Sequence, residues 1–267
     1  MPPKLGILAG GGELPSKLIQ ICRSTGRDVF VVALHGHADL AALDGVDHAE
    51  IRLGAAGDIL DRLKAEHAEE LVMAGSVRRP SLAELKPDAR GARILARVGY
   101  AALGDNSLLS ALAKVLEREG FRVVGPDDIV TDLLATEGVY GRIAPDDPAH
   151  ADIEIAAAAA RAIGVDDIGQ GAIVRDGVVV GTEDAAGTDA LIARCAGKGG
   201  VLVKVKKPGQ DRRLDMPTIG EATVRNAAAA GLAGIAIEAG NALVIGRDRV
   251  IEAADAAGLF VVGIEPA

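Results

Sequence analysis

The residues with the most chemical potential lie between positions 204 and 220, where the chain reads Lys-Val-Lys-Lys-Pro-Gly-Gln-Asp-Arg-Arg-Leu-Asp-Met-Pro-Thr-Ile-Gly. Two acids, Asp211 and Asp215, are interleaved there with Lys204, Lys206, Lys207, Arg212 and Arg213. Phosphoanhydride hydrolysis requires such a mixture: carboxylates hold a divalent cation or orient water, while cations neutralise charge on the phosphates. A charge run is usually a solvated loop. Two details argue against that reading. Lys204 lies in an apolar strand pattern, where an ammonium needs a partner, and Asp215 is set among Leu214, Met216 and Pro217. Gly187-Thr188-Asp189 adds a third acid at a helix start, a position for which capping is the default explanation.

Glycine loops offer a second kind of chemistry. Gly10-Gly11-Gly12-Glu13-Leu14-Pro15 stands where a first apolar run hands over to a helix. Glycines there let backbone N–H groups approach a phosphate at a positively polarised helix N-terminus. The pattern lacks the third glycine of the dinucleotide fingerprint. The second strand ends in Leu34-His35-Gly36 with no carboxylate for a ribose, Asp39 coming several residues late. Phosphate or nucleotide contact is the expectation, NAD is disfavoured, and a tight turn without a ligand accounts for the same residues. Gly75-Ser76-Val77-Arg78-Arg79-Pro80 follows the third apolar run, at the end of a strand where open parallel sheets bind ligands. Its arginines, hydroxyl and glycine suit an anion, and a solvated basic loop equally. Asp105-Asn106-Ser107 after Gly104 reads first as a helix N-cap, whose groups a ligand hydroxyl could share. The five histidines show no metal spacing. The G-x-S-x-G elbow and the full Walker A loop are absent, which sets aside serine hydrolases and P-loop NTPases.

Positioning these groups requires elements the pattern supplies. Strands are predicted at Leu5 to Ala9, 29–34, Leu71 to Ala74 and Phe121 to Val124, with helices at Pro15 to Ser24, 57–66 and Asp105 through Leu116. Continuous apolar strands alternating with helices imply an α/β fold with a parallel sheet covered on both faces. Residues 1–130 are therefore read as a Rossmann-like, doubly wound domain. Residues 131–148, rich in Gly, Pro and Asp, are read as a linker. Residues 149–267 are read as a distinct mixed α/β domain, opening with a helix at 151–163. A hairpin at 172–174 and 178–180 turns through Arg175-Asp176-Gly177. Further strands are expected at 201–205, 235–237, 243–245 and 260–262, with helices near 188–195, 221–230 and 248–257. Two domains with a cleft between them result.

Composition narrows the function classes. With 49% hydrophobic and 25% charged residues among 267, the chain is not a disordered one. A net charge of −9 and 2% aromatics argue against nucleic acid as a partner. Cys22 and Cys195 form no disulfide framework, which fits a reducing cytoplasm. No signal-peptide pattern and no membrane-spanning apolar run is present, so a soluble protein is expected.

Taken in order, Leu8-Ala9-Gly10-Gly11-Gly12-Glu13-Leu14-Pro15, Gly75 to Pro80, Gly104-Asp105, Gly187-Thr188-Asp189 and Lys204 to Gly220 resemble the LpxI-type UDP-2,3-diacylglucosamine pyrophosphatases, enzymes of lipid A assembly in Gram-negative bacteria. The tail from Ala227 through Gly263 also fits, so the resemblance covers essentially the whole chain. Each motif is weak alone; their order, with the long Lys-Pro-x-Gln-Asp segment, is specific. The resemblance implies Mg²⁺-dependent hydrolysis to lipid X and UMP, water attacking the β-phosphorus, with substrate held between a Rossmann-like domain and a second domain. It places Gly10, Gly11, Gly12, Glu13, Gly75, Ser76 and Asp105 on the UDP portion, with Gly187, Thr188 and Thr218 as further substrate contacts. It assigns Asp215, Asp211 and Asp189 to metal or water, and Lys204 and Arg213 to the pyrophosphate charge. Asp215, Asp211, Lys204 and Arg213 are thereby the expected catalytic set. Ala186 stands where the family pattern has Glu, and Asn106 where a second Asp is common. Acyl chains need an apolar groove, which the Ala-, Val- and Leu-rich second half can supply. Without a basic amphipathic helix, contact with the inner membrane is expected to be weak and peripheral. A homodimer is compatible with the resemblance. A dinucleotide-dependent oxidoreductase and a non-catalytic lipid- or nucleotide-binding module stay open as alternatives.

Overall fold

The computed structural model describes residues 2–78, 81–98 and 105–266. Residue contacts divide the chain into two units: Met1–Thr131 with Arg213–Asp215, and Asp132–Arg212 with Met216–Ala267.

The first unit runs β1 (Leu5–Ala9), α1 (Leu14–Ser24), β2 (Val29–Leu34), β3 (His48–Ile51), α2 (Ala56–Ala65), β4 (Glu70–Ala74), α3 (Leu82–Leu85), α4 (Ala89–Val98), α5 (Asp105–Arg118), β5 (Arg122–Val123) and α6 (Pro126–Ile129). Its sheet is wholly parallel, in the order β3-β2-β1-β4-β5. Strand order reverses between β1 and β4. Right-handed crossovers on either side of that reversal place helices on opposite faces, which is the doubly wound arrangement. On one face Phe30 and Val32 of β2 pack with Ile59, Leu60 and Leu63 of α2 and with Ala113 and Leu116 of α5. Leu214 joins that same cluster and is only 6% exposed.

The second unit runs β6 (Gly138–Tyr140), α7 (Asp147–Val165), β7 (Gly171–Arg175), β8 (Val178–Thr182), α8 (Gly187–Arg194), β9 (Val201–Lys204), β10 (Thr218–Gly220), α9 (Glu221–Ala229), β11 (Gly234–Glu238), β12 (Leu243–Ile245), α10 (Arg247–Ala257) and β13 (Phe260–Ile264). Six strands form one sheet in the order β6-β13-β11-β9-β7-β8, while β10 pairs with β12. β9, β11 and β13 are parallel; β6, β7 and β8 are antiparallel to their neighbours. Strand side chains alternate between faces. Thus Val201 and Val203 meet the alanines of α7, whereas Leu202 and Ile173 meet α8, α9 and α10 through Leu191, Val224 and Val250.

The expected hairpin forms, with Asp176 (φ 52) and Gly177 (φ 76) supplying the two left-handed residues of its turn. Residues 131–148 do not serve as a simple linker. They carry β6, which pairs antiparallel with β13 as an edge strand, and they bury Tyr140, whose hydroxyl accepts the Thr136 N–H at 2.7 Å. Only three residues long, opening on Gly138 (φ 98) and followed by Gly141 (φ 85), β6 leaves no apolar run to read.

Candidate active site

In the first unit Ala9 and Ala74 face one another at the carboxyl ends of β1 and β4. Beyond them the two glycine loops are zipped together. Gly10 N donates to Ala74 O at 2.8 Å, Gly11 N to Ser76 O at 2.8 Å, and Ser76 N to Gly11 O at 2.9 Å. A Cβ on Gly10 would stand 2.4 Å from Ser76 O, and one on Gly75 (φ +91) 2.4 Å from Gly11 O. Only glycine allows this approach. The bridge lies at the strand-order reversal, where open α/β sheets bind ligands. Gly12 (φ +88), with open space around it, and Glu13 lead into α1. Gly10, Gly11, Gly12, Glu13, Gly75 and Ser76 are therefore brought to one crevice. Arg78 turns instead to Glu84 at 3.1 Å, beside the Ser81–Glu84 capping box of α3. The Ser81 backbone N–H and then Arg78 hold the Glu84 carboxyl down at about 2. Arg79, Pro80 and Gly104 lie outside the described residues; Asp105 opens α5, and its side chain is likewise outside them.

In the second unit Lys204 ends β9 at 6% exposure. Its Nζ donates to Thr188 Oγ1 at 2.8 Å and to Thr218 O at 3.2 Å, so three expected site residues meet. Gly187 (φ +82) opens α8 and sets Thr188 in its first turn. Thr188 Oγ1 in turn donates to Glu183 Oε1 at 2.5 Å. Asp189 is exposed, and its Oδ1 accepts from Asn226 Nδ2 at 2.9 Å. The charge run is no solvated loop. Lys207 is buried against Asp167 at 2.7 Å, and its N–H donates to Oε1 of buried Gln210. Lys206 N donates to buried Glu238 at 2.9 Å. Asp211 follows this anchored turn and is half-buried.

Arg213 and half-buried Asp215 belong to the first unit. Arg213 Nη1 donates to Glu117 Oε1 at 2.9 Å and to Val123 O at 3.4 Å. With Arg27, Glu70 and Arg122 it lines a cavity of about 530 Å³. Glu70, paired with Arg27 and Arg122, begins β4 and faces Arg122 of β5 in register. This is the amino end of the sheet. Val123 stands beside Leu71, and from there to Gly75 the strand rises about 13 Å at roughly 3.3 Å per residue. Arg213 is thus not brought to the glycine crevice.

The N-terminal domain model of the LpxI family matches residues 4–133, and the C-terminal domain model matches residues 136–262. The chain belongs to the LpxI family. A relative from Caulobacter vibrioides, described as UDP-2,3-diacylglucosamine pyrophosphatase LpxI, is 42% identical over 275 residues, spanning 98% of this chain and 98% of its own. Among solved structures, CobK precorrin-6A reductase is 14% identical with a TM-score of 0.31, over 100% of this chain and 89% of that one. The UDP-glucose 4-epimerase of Thermus thermophilus, in complex with NAD, is 13% identical with a TM-score of 0.35, over 98% and 86%. Scores so low carry no argument about this LpxI chain.

Among the described residues of this LpxI chain no three His, Cys, Asp or Glu side chains gather as a metal cage. Mg²⁺ is commonly held by one or two carboxylates with substrate phosphates and water completing the shell. Asp215 and Asp211 are donors of that type. Sequence reasoning missed Glu183, which follows the strand β8 without any motif around it. Its one visible signal is a carboxylate next to a β-branched run.

Proposed function

We propose that this chain hydrolyses the pyrophosphate bond of UDP-2,3-diacylglucosamine, giving UMP and 2,3-diacylglucosamine 1-phosphate (lipid X) in lipid A assembly. The observation that carries this reading is the 42% identity, over 98% of both chains, to a relative bearing that activity in its name. The site chemistry supports it. Backbone N–H groups at the start of α1 and the Ser76 hydroxyl, next to the Gly11–Ser76 bridge, are donors for the UDP phosphates. The buried Lys204 ammonium, two of its three protons engaged by Thr188 and Thr218, offers the third to a phosphoryl oxygen. Asp215 takes a proton from the water that attacks the β-phosphorus. The bond from that phosphorus to the bridging oxygen breaks, and UMP leaves. Arg213, through Glu117 and Val123, ties the Asp215 stretch to the first unit. Mg²⁺ would offset phosphate charge when bound, with Asp211 and Asp215 as candidate carboxylate donors and substrate phosphates and water completing its shell; Asp189, turned to Asn226, does not join them in a three-carboxylate cage.

Acyl chains are assigned to the apolar surface of the second unit, where a cavity of about 420 Å³ opens beside Ala228, Ala253, Ala256 and Ala257. No described helix is long and apolar enough to cross a membrane. The lipid substrate is assigned to peripheral contact with the inner membrane. The test is hydrolysis of UDP-2,3-diacylglucosamine in ¹⁸O-water, with and without Mg²⁺. Metal-dependent turnover with label in lipid X is expected, and Asp215→Ala should lower the rate at least about a hundredfold. Label in UMP would overturn attack on the β-phosphorus; an unaffected Asp215→Ala enzyme would overturn the role of that residue. Absence of turnover would overturn the function itself.

A further inference from the structure

We infer that Glu183 is a positioning residue of this site, aiming the Lys204 ammonium through the hydroxyl of Thr188; the inference rests on the reading that Lys204 meets the substrate phosphates. Glu183 is 7% exposed, although its neighbour Asp184 is exposed. Its carboxylate divides its two oxygens. Oε2 accepts the Gln170 backbone N–H at 3.0 Å, and Oε1 accepts the Thr188 hydroxyl at 2.5 Å. The fold makes room for it. A Cβ on Gly171 would come within 3.3 Å of Oε2, and one on Gly169 within 2.5 Å of Glu183 O. Gly171 also stands in register with Lys204 and accepts the Glu183 N–H at 2.8 Å.

A threonine hydroxyl has a single proton. Once that proton is committed to Glu183, Thr188 can meet Lys204 only as an acceptor, and Lys204 Nζ lies 2.8 Å from it. The Thr218 carbonyl fixes a second donor at 3.2 Å. With two directions set, the third N–H of the ammonium is fixed in space. A buried carboxylate without an ion-pair partner among the described residues is costly to keep; here it decides the orientation of a hydroxyl and, through it, of a cation. Nothing else among its described contacts uses Oε1.

The experiment compares wild type with Glu183→Gln, Thr188→Val, Thr188→Ser and the Glu183→Gln/Thr188→Val double variant. For hydrolysis of UDP-2,3-diacylglucosamine, each of Glu183→Gln and Thr188→Val should lower kcat about tenfold to a hundredfold, the value of a hydrogen bond to a charged group. KM should change by less than about threefold, because the loss falls on the transition state. The double variant should be no slower than the slower single variant, since both act through one contact, and Thr188→Ser should recover part of the loss seen in Thr188→Val. Multiplying effects, or a Glu183→Gln enzyme at the wild-type rate, would overturn the inference. A second readout needs no turnover. The ¹H–¹⁵N signal of the Lys204 ammonium, identified by its loss in Lys204→Met, should shift in Glu183→Gln and broaden in Thr188→Val. A signal indifferent to both variants would overturn the inference even if rates fell. If wild type fails to hydrolyse the substrate, the functional reading fails and the ammonium signal alone decides the contact. If Glu183→Gln does not fold, Thr188→Val carries the same test.

Discussion

Replacing Gly10 by alanine probes the close approach on which the glycine crevice depends. The new Cβ would stand 2.4 Å from the Ser76 carbonyl oxygen and 2.9 Å from both the Ser76 carbonyl carbon and Val77 Cγ2. Ordinary contact begins at 3.4 Å, so one loop must retreat by about 1 Å from a close-packed neighbour. That retreat is opposed by the Gly11–Ser76 bridge, with its hydrogen bonds of 2.8 and 2.9 Å. Overpacking of this kind costs about 1–3 kcal/mol. Loss of the two bridge bonds adds about 0.5–1.5 kcal/mol each, for a total of about 2–6 kcal/mol. Gly12→Ala is the comparison. No atom lies within 4 Å of its added Cβ, leaving only the left-handed backbone to cost about 1–2 kcal/mol. Hydrogen exchange of the β1 and β4 amides as a function of urea reports the first unit separately. Gly10→Ala should lower their opening free energy by at least about 2 kcal/mol and weaken UMP binding. Wild-type protection in Gly10→Ala, or a larger loss in Gly12→Ala, would refute the steric reasoning.

Two further outcomes follow from particular contacts. Leu214→Ala empties a buried position in the core of the first unit and should cost about 2–5 kcal/mol, read as lost protection of β1, β2 and β4 with β9 and β11 unchanged; loss confined to β9 and β11 would contradict its placement. Glu84 should titrate at about 2 rather than at 4.5 in carboxyl-detected NMR, and Arg78→Ala should raise that value. Because the folded value lies below the unfolded one, the contribution of Glu84 to α3 is present above the ordinary carboxylate range. It is lost as pH falls through about 2. A midpoint at the ordinary value would remove the capping box.

How far the fold was legible depended on which strands are covered on both faces. β1, β2 and β4 are continuous apolar runs because helices lie on either side of them, and burial of all five residues of β1 is the physical cause of that pattern. β3, reading His-Ala-Glu-Ile, sits at the sheet edge with alternating exposure, so no apolar run marks it. β6 escapes notice for the same reason and because two glycines confine it to three residues. The hairpin between β7 and β8 was readable because Asp-Gly at a two-residue turn specifies left-handed backbone at both positions.

The site divides along a different line. Gly10, Gly75 and Lys204 declare themselves locally, the two glycines because a Cβ there would stand 2.4 Å from a backbone oxygen, the lysine because an ammonium in an apolar strand demands a reason. Glu183 is invisible in that way. Its meaning arises only when β8, β7 and β9 are laid side by side and Gly171 comes into register with Lys204. Arg213 shows the opposite case: the charge run reads as one chemical unit, whereas its guanidinium is held by Glu117 and Val123 of the first unit. Leu214 marks the division, since an apolar residue inside such a run gains by burial, and its burial in the first unit's core takes Arg213 to Glu117 and the amino end of the sheet. A charged segment interrupted by a single leucine is therefore better read as two anchored halves than as one loop. The halves here are Lys204 to Gln210, held by Asp167 and Glu238, and Arg213 to Asp215, held by Leu214.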